Sequence, residues 1–249
     1  MNSLIWNGEL DYRCEDISKF LMNTCHKFIN IILKITEISP NNESRELLCK
    51  ECMERFESIT YILSEIIKEV FYYICNDIDD KLSNALKLNG WILLGSLTET
   101  TLQMFLAFYI NDYKNTKWQQ WEKFKENQVK NQITECIQKL VDNGIIETNQ
   151  AKSLKKSIKE TINEHTKEHQ VQKIMLDELI QLYAYLNLMD EDDISYLKKI
   201  QSNRNAIHSF QQRDTGTWND LQFSIRFFCY LLEWVIYHIP DISDYEEFY

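Results

Sequence analysis

Apolar residues recur every three or four positions along most of this chain, the spacing typical of amphipathic α-helices. The first such stretch predicts a helix from Asp16 to Ser39, because Pro40 disfavours helical geometry in the residue before it. The pattern then predicts one long helix over about 42–76. Further helices are predicted over 80–111, 133–142, 151–173, 175–189, 192–211 and 217–238. The chain is therefore expected to be all-α.

Turn and cap residues support several of these boundaries. Asn41 or Asn42 can cap the second helix, and Gly144 can supply the left-handed residue that ends a helix. The acidic run 190–193 is favourable at the positive end of a helix dipole, so we interpret it as a cap and not as a metal site. Thr217 and Asp220 resemble a capping box for the last helix, which follows a predicted turn at 214–216.

Composition narrows the class of protein further. Only 5 Gly and 2 Pro occur in 249 residues, which argues against turn-rich sandwiches and barrels. The net charge of -11 excludes a globally basic nucleic-acid-binding surface, so any such site must be local. The most apolar stretch, 223–239, is interrupted by Arg226 and Glu233, and neither export nor a membrane span is predicted. Seven cysteines, an odd number, favour reduced thiols in the cytoplasm.

Cofactor and metal motifs are weak in this sequence. There is no Gly-rich phosphate loop, no GxSxG and no HExxH, so no cofactor is expected. Cys49-Lys50-Glu51-Cys52 forms a CxxC, but a zinc ribbon needs a second such pair, which is absent. Packing thiols are the favoured interpretation. A redox or metal role that involves Cys14, Cys25 or His26 is the alternative.

Two other stretches carry candidate chemistry. Residues 112–130 mix Lys with Trp118, Trp121 and Phe124, a composition that could stack bases, although the helical spacing of the aromatic residues favours a role in covering the core. His165 and His169 are four residues apart, a spacing that can bind metal. Because no third ligand can be identified in the sequence, we expect both to be exposed to solvent.

The strongest candidate for function is the pair Arg204 and His208. On a helix these residues lie one turn apart on the face that also carries Leu197 and Ile200. A cation and a titratable imidazole on an apolar stripe are costly to bury without partners. This pair is therefore predicted to be the centre of a functional site.

Glu99 is the second candidate, because it places one carboxylate on an apolar helical stripe that includes Ile92, Gly95 and Leu102. An unpaired carboxylate there would be strongly destabilising, so Glu99 is expected to lie within ion-pair reach of a cation, with Arg204 as first choice. The pair is either a structural ion pair in the core or a contact through which Glu99 orients Arg204 or His208 in a site.

The run Arg204-Asn205-Ala206-Ile207-His208 resembles the signature of the HEPN superfamily, helical domains whose Arg, following polar residue and His form a metal-independent ribonuclease site. Residues 89–99, NGWILLGSLTE, look like the earlier core helix of such proteins. Three residues separate Arg204 from His208, fewer than in the family pattern. The resemblance covers about residues 80–238.

The resemblance implies an all-α bundle with an N-terminal helical pair over 1–76 and a HEPN-like domain over 77–249 that carries a helical insertion at about 112–190. It implies a ribonuclease of the toxin or defence kind, with RNA as substrate, no metal, a homodimer, and an antitoxin or other protein as a further partner. Arg204, Asn205 and His208 would be its catalytic residues, with Glu99 as the fourth residue of the site. The alternative is a non-catalytic helical binding module in which the same residues are structural.

Overall fold

The computed structural model describes residues 14–39, 41–75, 81–116, 121–165, 170–206 and 214–240. All regular structure within these ranges is helical, and the chain is the all-α bundle that the hydrophobic pattern predicts. The helices are α1 Cys14–Ile38, α2 Asn42–Leu47, α3 Lys50–Cys75, α4 Lys81–Phe108, α5 Ile110–Lys114, α6 Trp121–Asp142, α7 Thr148–His165, a 3-10 turn Val171–Lys173, α8 Leu176–Tyr185, α9 Glu191–Asn205 and α10 Trp218–His238.

The chain divides into two compact units. The first comprises 1–109 and 174–249, and the second comprises 110–173. In the first unit α1 packs on α3 and α10, while α4 contacts α3, α8, α9 and α10. In the second unit α6 packs on α7. The N-terminal helices and α8 therefore belong to the same unit as α4, α9 and α10.

The helix predicted over 42–76 is in fact two helices. Asn41 caps α2, and its side-chain oxygen accepts hydrogen bonds from two backbone N–H groups of the first turn, at 2.9 and 3.3 Å. The chain leaves helical geometry after Leu47, and α3 begins at Lys50. The buried Ser44 hydroxyl donates to the carbonyl of Ala107 in α4. This long-range bond holds the short α2 on α4, a contact that the periodicity of the sequence does not encode.

α4 is the core helix of the first unit. Among the described residues it is the one helix long and apolar enough to cross a membrane, yet 61% of its apolar window is buried inside the protein. Trp91, Leu94 and Leu102 are fully buried along its length. Such burial is typical of a core helix, whose apolar surface is covered by neighbouring helices.

α10 is central in the bundle. Ile225, Phe227 and Phe228 are fully buried, and Trp234 is 8% exposed. The neighbours that cover them are α1, α3, α4 and α9. The apolar character of α10 is thus accounted for within one chain and gives no support to a dimer contact.

The acidic run 190–193 provides the cap and the first turn of α9, as its sequence predicts. The Asp190 side chain accepts a hydrogen bond from the Asp193 backbone N–H at 2.9 Å. Asp193 itself is only 6% exposed and accepts a hydrogen bond from the Tyr230 hydroxyl at 3.1 Å. Burial, reinforced by the carboxylates of Asp190 and Asp192, raises the pKa of Asp193 to about 6, although the Tyr230 bond opposes the shift.

This buried carboxyl should make stability depend on pH. Its ordinary pKa is 3.8 and its pKa in the folded chain is about 6, so the folded state binds the proton more tightly. The stabilisation that the folded state gains from protonated Asp193 is complete below about pH 4 and is lost as pH rises towards 6. Asp193→Asn, which keeps an acceptor for Tyr230, should therefore be more stable than wild type at pH 7 by on the order of 2 kcal/mol. Urea unfolding at pH 4 and pH 7 measures this.

The exposed Asp192→Asn is the matched control, since it removes the same charge from the same helical turn. It should show no comparable gain at pH 7. An advantage of Asp193→Asn that is equally large at pH 4 would contradict the assignment of the effect to the buried charge.

Candidate functional site

Arg204 and Glu99 form an ion pair between α9 and α4. Arg204 Nη1 donates to Glu99 Oε2 at 2.8 Å, and the two side chains are 26% and 19% exposed. The expectation that Glu99 has a cationic partner, with Arg204 as that partner, is confirmed. The pair is neither sealed nor fully solvated, so part of the Arg204 side chain is accessible to solvent while Glu99 binds its guanidinium.

The same carboxylate oxygen also binds the start of α8. Glu99 Oε2 accepts a hydrogen bond from the backbone N–H of Leu176, the first residue of α8, at 3.0 Å. A carboxylate at this place is favourable because the first N–H groups of a helix lack partners within the helix. Glu99 therefore joins α4, α8 and α9. The Leu176 contact could not be found from the sequence, because a backbone donor carries no residue-specific signal.

Gly95 makes room for the arginine side chain. A Cβ atom at position 95 would lie 2.5 Å from Cδ and 2.9 Å from Cγ of Arg204, closer than packed carbon atoms approach. The guanidinium stem thus crosses α4 at Gly95 and reaches Glu99 one turn further along. Glycine within a helix costs stability, so its place on the apolar stripe was a usable signal for a close contact.

The remaining residues of the predicted site are only partly described. Asn205 is half-buried and is the last residue of α9. The backbone N–H of Ala206 then donates to the carbonyls of Ser202 and Asn203, at 3.1 and 3.2 Å, as the helix closes. The motif helix was predicted to run to 211, but described α9 ends at Asn205. His208 lies outside the described residues, so its position relative to Arg204 stays a prediction.

The second unit carries a separate basic cleft between α6 and α7. Its volume is about 410 Å³, and its lining includes Lys130, Lys155, Lys159 and Ile137. Asn131, Ile133, Thr134 and Ile158 complete its lining. The segment 110–173 holds twelve Lys against nine Asp and Glu, a net charge of +3, so the rest of the chain carries -14. The negative charge of the whole protein therefore conceals one locally basic unit.

The other candidate stretches contribute less to a described site. Trp118 and His169 lie outside the described residues, and nothing is described of the side chains of Trp121, Phe124 and His165. Within the described ranges no group of three His, Cys, Asp or Glu residues is arranged to hold a metal ion. The described geometry thus brings together Glu99 and Arg204, with Asn205 next in the chain.

Comparison of the chain with protein-family models, with curated proteins and with solved structures found no match. Its function must therefore be inferred from the residues of the Glu99–Arg204 site and from the charge distribution.

The close approach of α4 and α9 can be tested with two glycine variants in one helix. Gly95→Ala should destabilise the protein by about 1–3 kcal/mol through forced displacement of Arg204, offset by up to about 1 kcal/mol of helix propensity. Gly90→Ala gains the same propensity but meets mainly one terminal methyl of Leu221, at 2.7 Å. It should cost less. Thermal unfolding of both variants gives the comparison, and equal losses would contradict the special role of Gly95.

Proposed function

We propose that this chain is a HEPN-like ribonuclease of the toxin or defence kind that cleaves RNA without a metal ion. The observation that carries the proposal is the partly exposed Arg204, held by Glu99 at 2.8 Å within the run that resembles the family signature. A guanidinium oriented from one edge keeps its other N–H donors for a phosphate, whose oxygens match the planar donor geometry of arginine.

In this mechanism His208 exchanges a proton with the attacking 2'-hydroxyl or the leaving oxygen of the RNA. Arg204 stabilises the negative charge that develops on the pentacovalent phosphate, and Asn205 helps to position that phosphate. Glu99 is a positioning residue. Its contact with Leu176 at the start of α8 keeps the carboxylate in place, so that Glu99 holds the arginine in one orientation.

The basic cleft in the second unit supports RNA as the substrate class. An acidic protein repels a polyphosphate at long range, so binding requires a local surface of the opposite sign. Lys155 and Lys159 on α7 face the cleft together with Lys130 on α6. We propose that this cleft contacts the RNA backbone, independently of sequence, while the site at Arg204 performs cleavage.

A second function is favoured by a different observation. Because Glu99 links Arg204 to the N-terminus of α8, the pair could serve only to fasten three helices together. The chain would then be a non-catalytic binding module. Removing one partner of such a pair leaves the other charge partly buried and unpaired, which is destabilising even where the pair itself contributes little.

The family resemblance further leads us to propose a homodimer, since family sites form across two chains and a single chain supplies one Arg204. An antitoxin or another protein is proposed as a further partner. Sedimentation at micromolar concentration that shows only a 29.9 kDa species would remove the homodimer.

The deciding experiment measures cleavage of a mixed RNA pool in EDTA. His208→Ala should reduce the rate by about 10²–10⁴-fold through loss of proton transfer, and Arg204→Ala should reduce it through loss of charge stabilisation. His26→Ala and Arg45→Ala are the matched controls, because both residues are exposed surface partners of neighbouring side chains. These controls should leave cleavage unchanged.

Melting curves of the same four variants separate the two functions. A ribonuclease site predicts lost cleavage by a folded His208→Ala protein. A purely structural role predicts no cleavage by pure wild type, together with a stability loss of about 1–3 kcal/mol in Arg204→Ala. The latter result would leave the binding module as the function.

The basic cleft is tested by two double variants of α7. Lys155→Gln with Lys159→Gln should weaken RNA binding and lower the slope of log affinity against log salt by roughly 0.7 for each phosphate that is no longer neutralised. Lys152→Gln with Lys156→Gln removes the same charge from the same helix outside the cleft. Fluorescence anisotropy at several salt concentrations compares them, and equal weakening by both pairs would show only a general charge effect.

A further inference from the structure

Cys49 and Cys52 lie at the junction between α2 and α3, and both are only partly buried. Cys49 immediately precedes α3, and its carbonyl accepts the first hydrogen bonds of that helix, from the N–H groups of Cys52 at 3.0 Å and Met53 at 3.2 Å. Both thiols therefore stand at the helix N-terminus within reach of solvent. Partly exposed thiols can react with small molecules as well as pack.

The two sulfur atoms are already close together. Cys49 Sγ donates a hydrogen bond to Cys52 Sγ at a separation of 3.2 Å, and a disulfide requires about 2.0 Å. A small rotation of the side chains would therefore bring them to bonding distance. Cys25 and Cys229 differ, because both are buried and burial raises their pKa, which keeps those thiols protonated and unreactive.

The surroundings of the pair assign different roles to its two sulfur atoms. Cys52 Sγ accepts from Cys49 and also from Nη2 of Arg55, at 3.4 Å. The hydrogen bond to Cys52 raises the pKa of Cys49, and burial and the Glu51 side chain add to this shift. Arg55 thus places a cation beside Cys52 Sγ, whereas the raised pKa of Cys49 keeps that thiol protonated.

We propose that Cys49 and Cys52 form a reversible thiol–disulfide exchange site that reacts with a low-molecular-weight disulfide, with Cys52 as the attacking sulfur. This activity is independent of the proposed ribonuclease function. No third ligand is arranged beside the pair within the described residues, so a metal site of three or more such ligands is not the better interpretation.

The exchange takes place in two steps. The Cys52 thiol loses its proton to solvent, and its thiolate attacks one sulfur of the small disulfide; that S–S bond breaks, a mixed disulfide forms, and the departing thiolate takes up a proton. Cys49 then loses its proton and attacks the Cys52 sulfur, which forms the Cys49–Cys52 bond and releases the second small thiol. The protein loses two electrons, and one disulfide is reduced to two thiols.

The test treats the reduced full-length protein with oxidised glutathione, blocks remaining thiols with N-ethylmaleimide, and maps the peptides by mass spectrometry. The expected product is a Cys49–Cys52 disulfide that dithiothreitol reverses. Cys49→Ser should accumulate the glutathione adduct on Cys52, because the second step is removed. Cys52→Ser should form its adduct on Cys49 roughly tenfold more slowly, because the Arg55 guanidinium contacts the sulfur of Cys52.

Cys136 provides the internal reference, because it is an exposed thiol elsewhere in the chain. Cys136→Ser should leave the Cys49–Cys52 product unchanged. The proposal is overturned if Cys136 becomes glutathionylated while Cys49 and Cys52 remain reduced. It is also overturned if adducts accumulate faster on Cys49 in Cys52→Ser than on Cys52 in Cys49→Ser.

Discussion

The arrangement of the first unit depends on how closely α9 and α10 can pack against α4. Gly95 leaves space for the stem of Arg204, and Gly90 leaves space for a methyl group of Leu221 from α10. With side chains at these two positions, α9 and α10 would each be held further from α4. The Glu99–Arg204 bond is possible because the two backbones come so near, and it then fixes their relative position. Two glycines and one ion pair therefore together determine how closely the neighbouring helices pack on the core helix α4.

Some parts of this architecture could be predicted from the sequence because their causes are local. The cap at Asn41, the left-handed Gly144 with φ of 68°, and the capping box of Thr217 and Asp220 depend only on neighbouring residues. The partner of Glu99 was also predictable, because a carboxylate on an apolar stripe requires a cation and Arg204 lies on another such stripe.

Other parts depend on contacts between distant residues and could not be predicted in that way. The break between α2 and α3 follows a stripe that continues in helical register, and the bond from Ser44 to Ala107 joins residues far apart in the chain. The roles of the Leu176 N–H and of the lysines in the basic cleft likewise become visible only once the helices are packed together. The net charge of the whole chain gave no sign of the basic cleft, because the negative charge of the first unit exceeds the positive charge of the second.

The insertion of one unit into the other has a consequence for biosynthesis. α1 packs on α10, so the first and last described helices of the chain are neighbours. Contacts of such high sequence separation form slowly, because a long loop must close before they gain stability. On the ribosome, α3 can cover part of the apolar face of α1 early, but the part that packs on α10 stays uncovered until α10 has been synthesised. Apolar surface that is exposed in this way during synthesis is prone to aggregation.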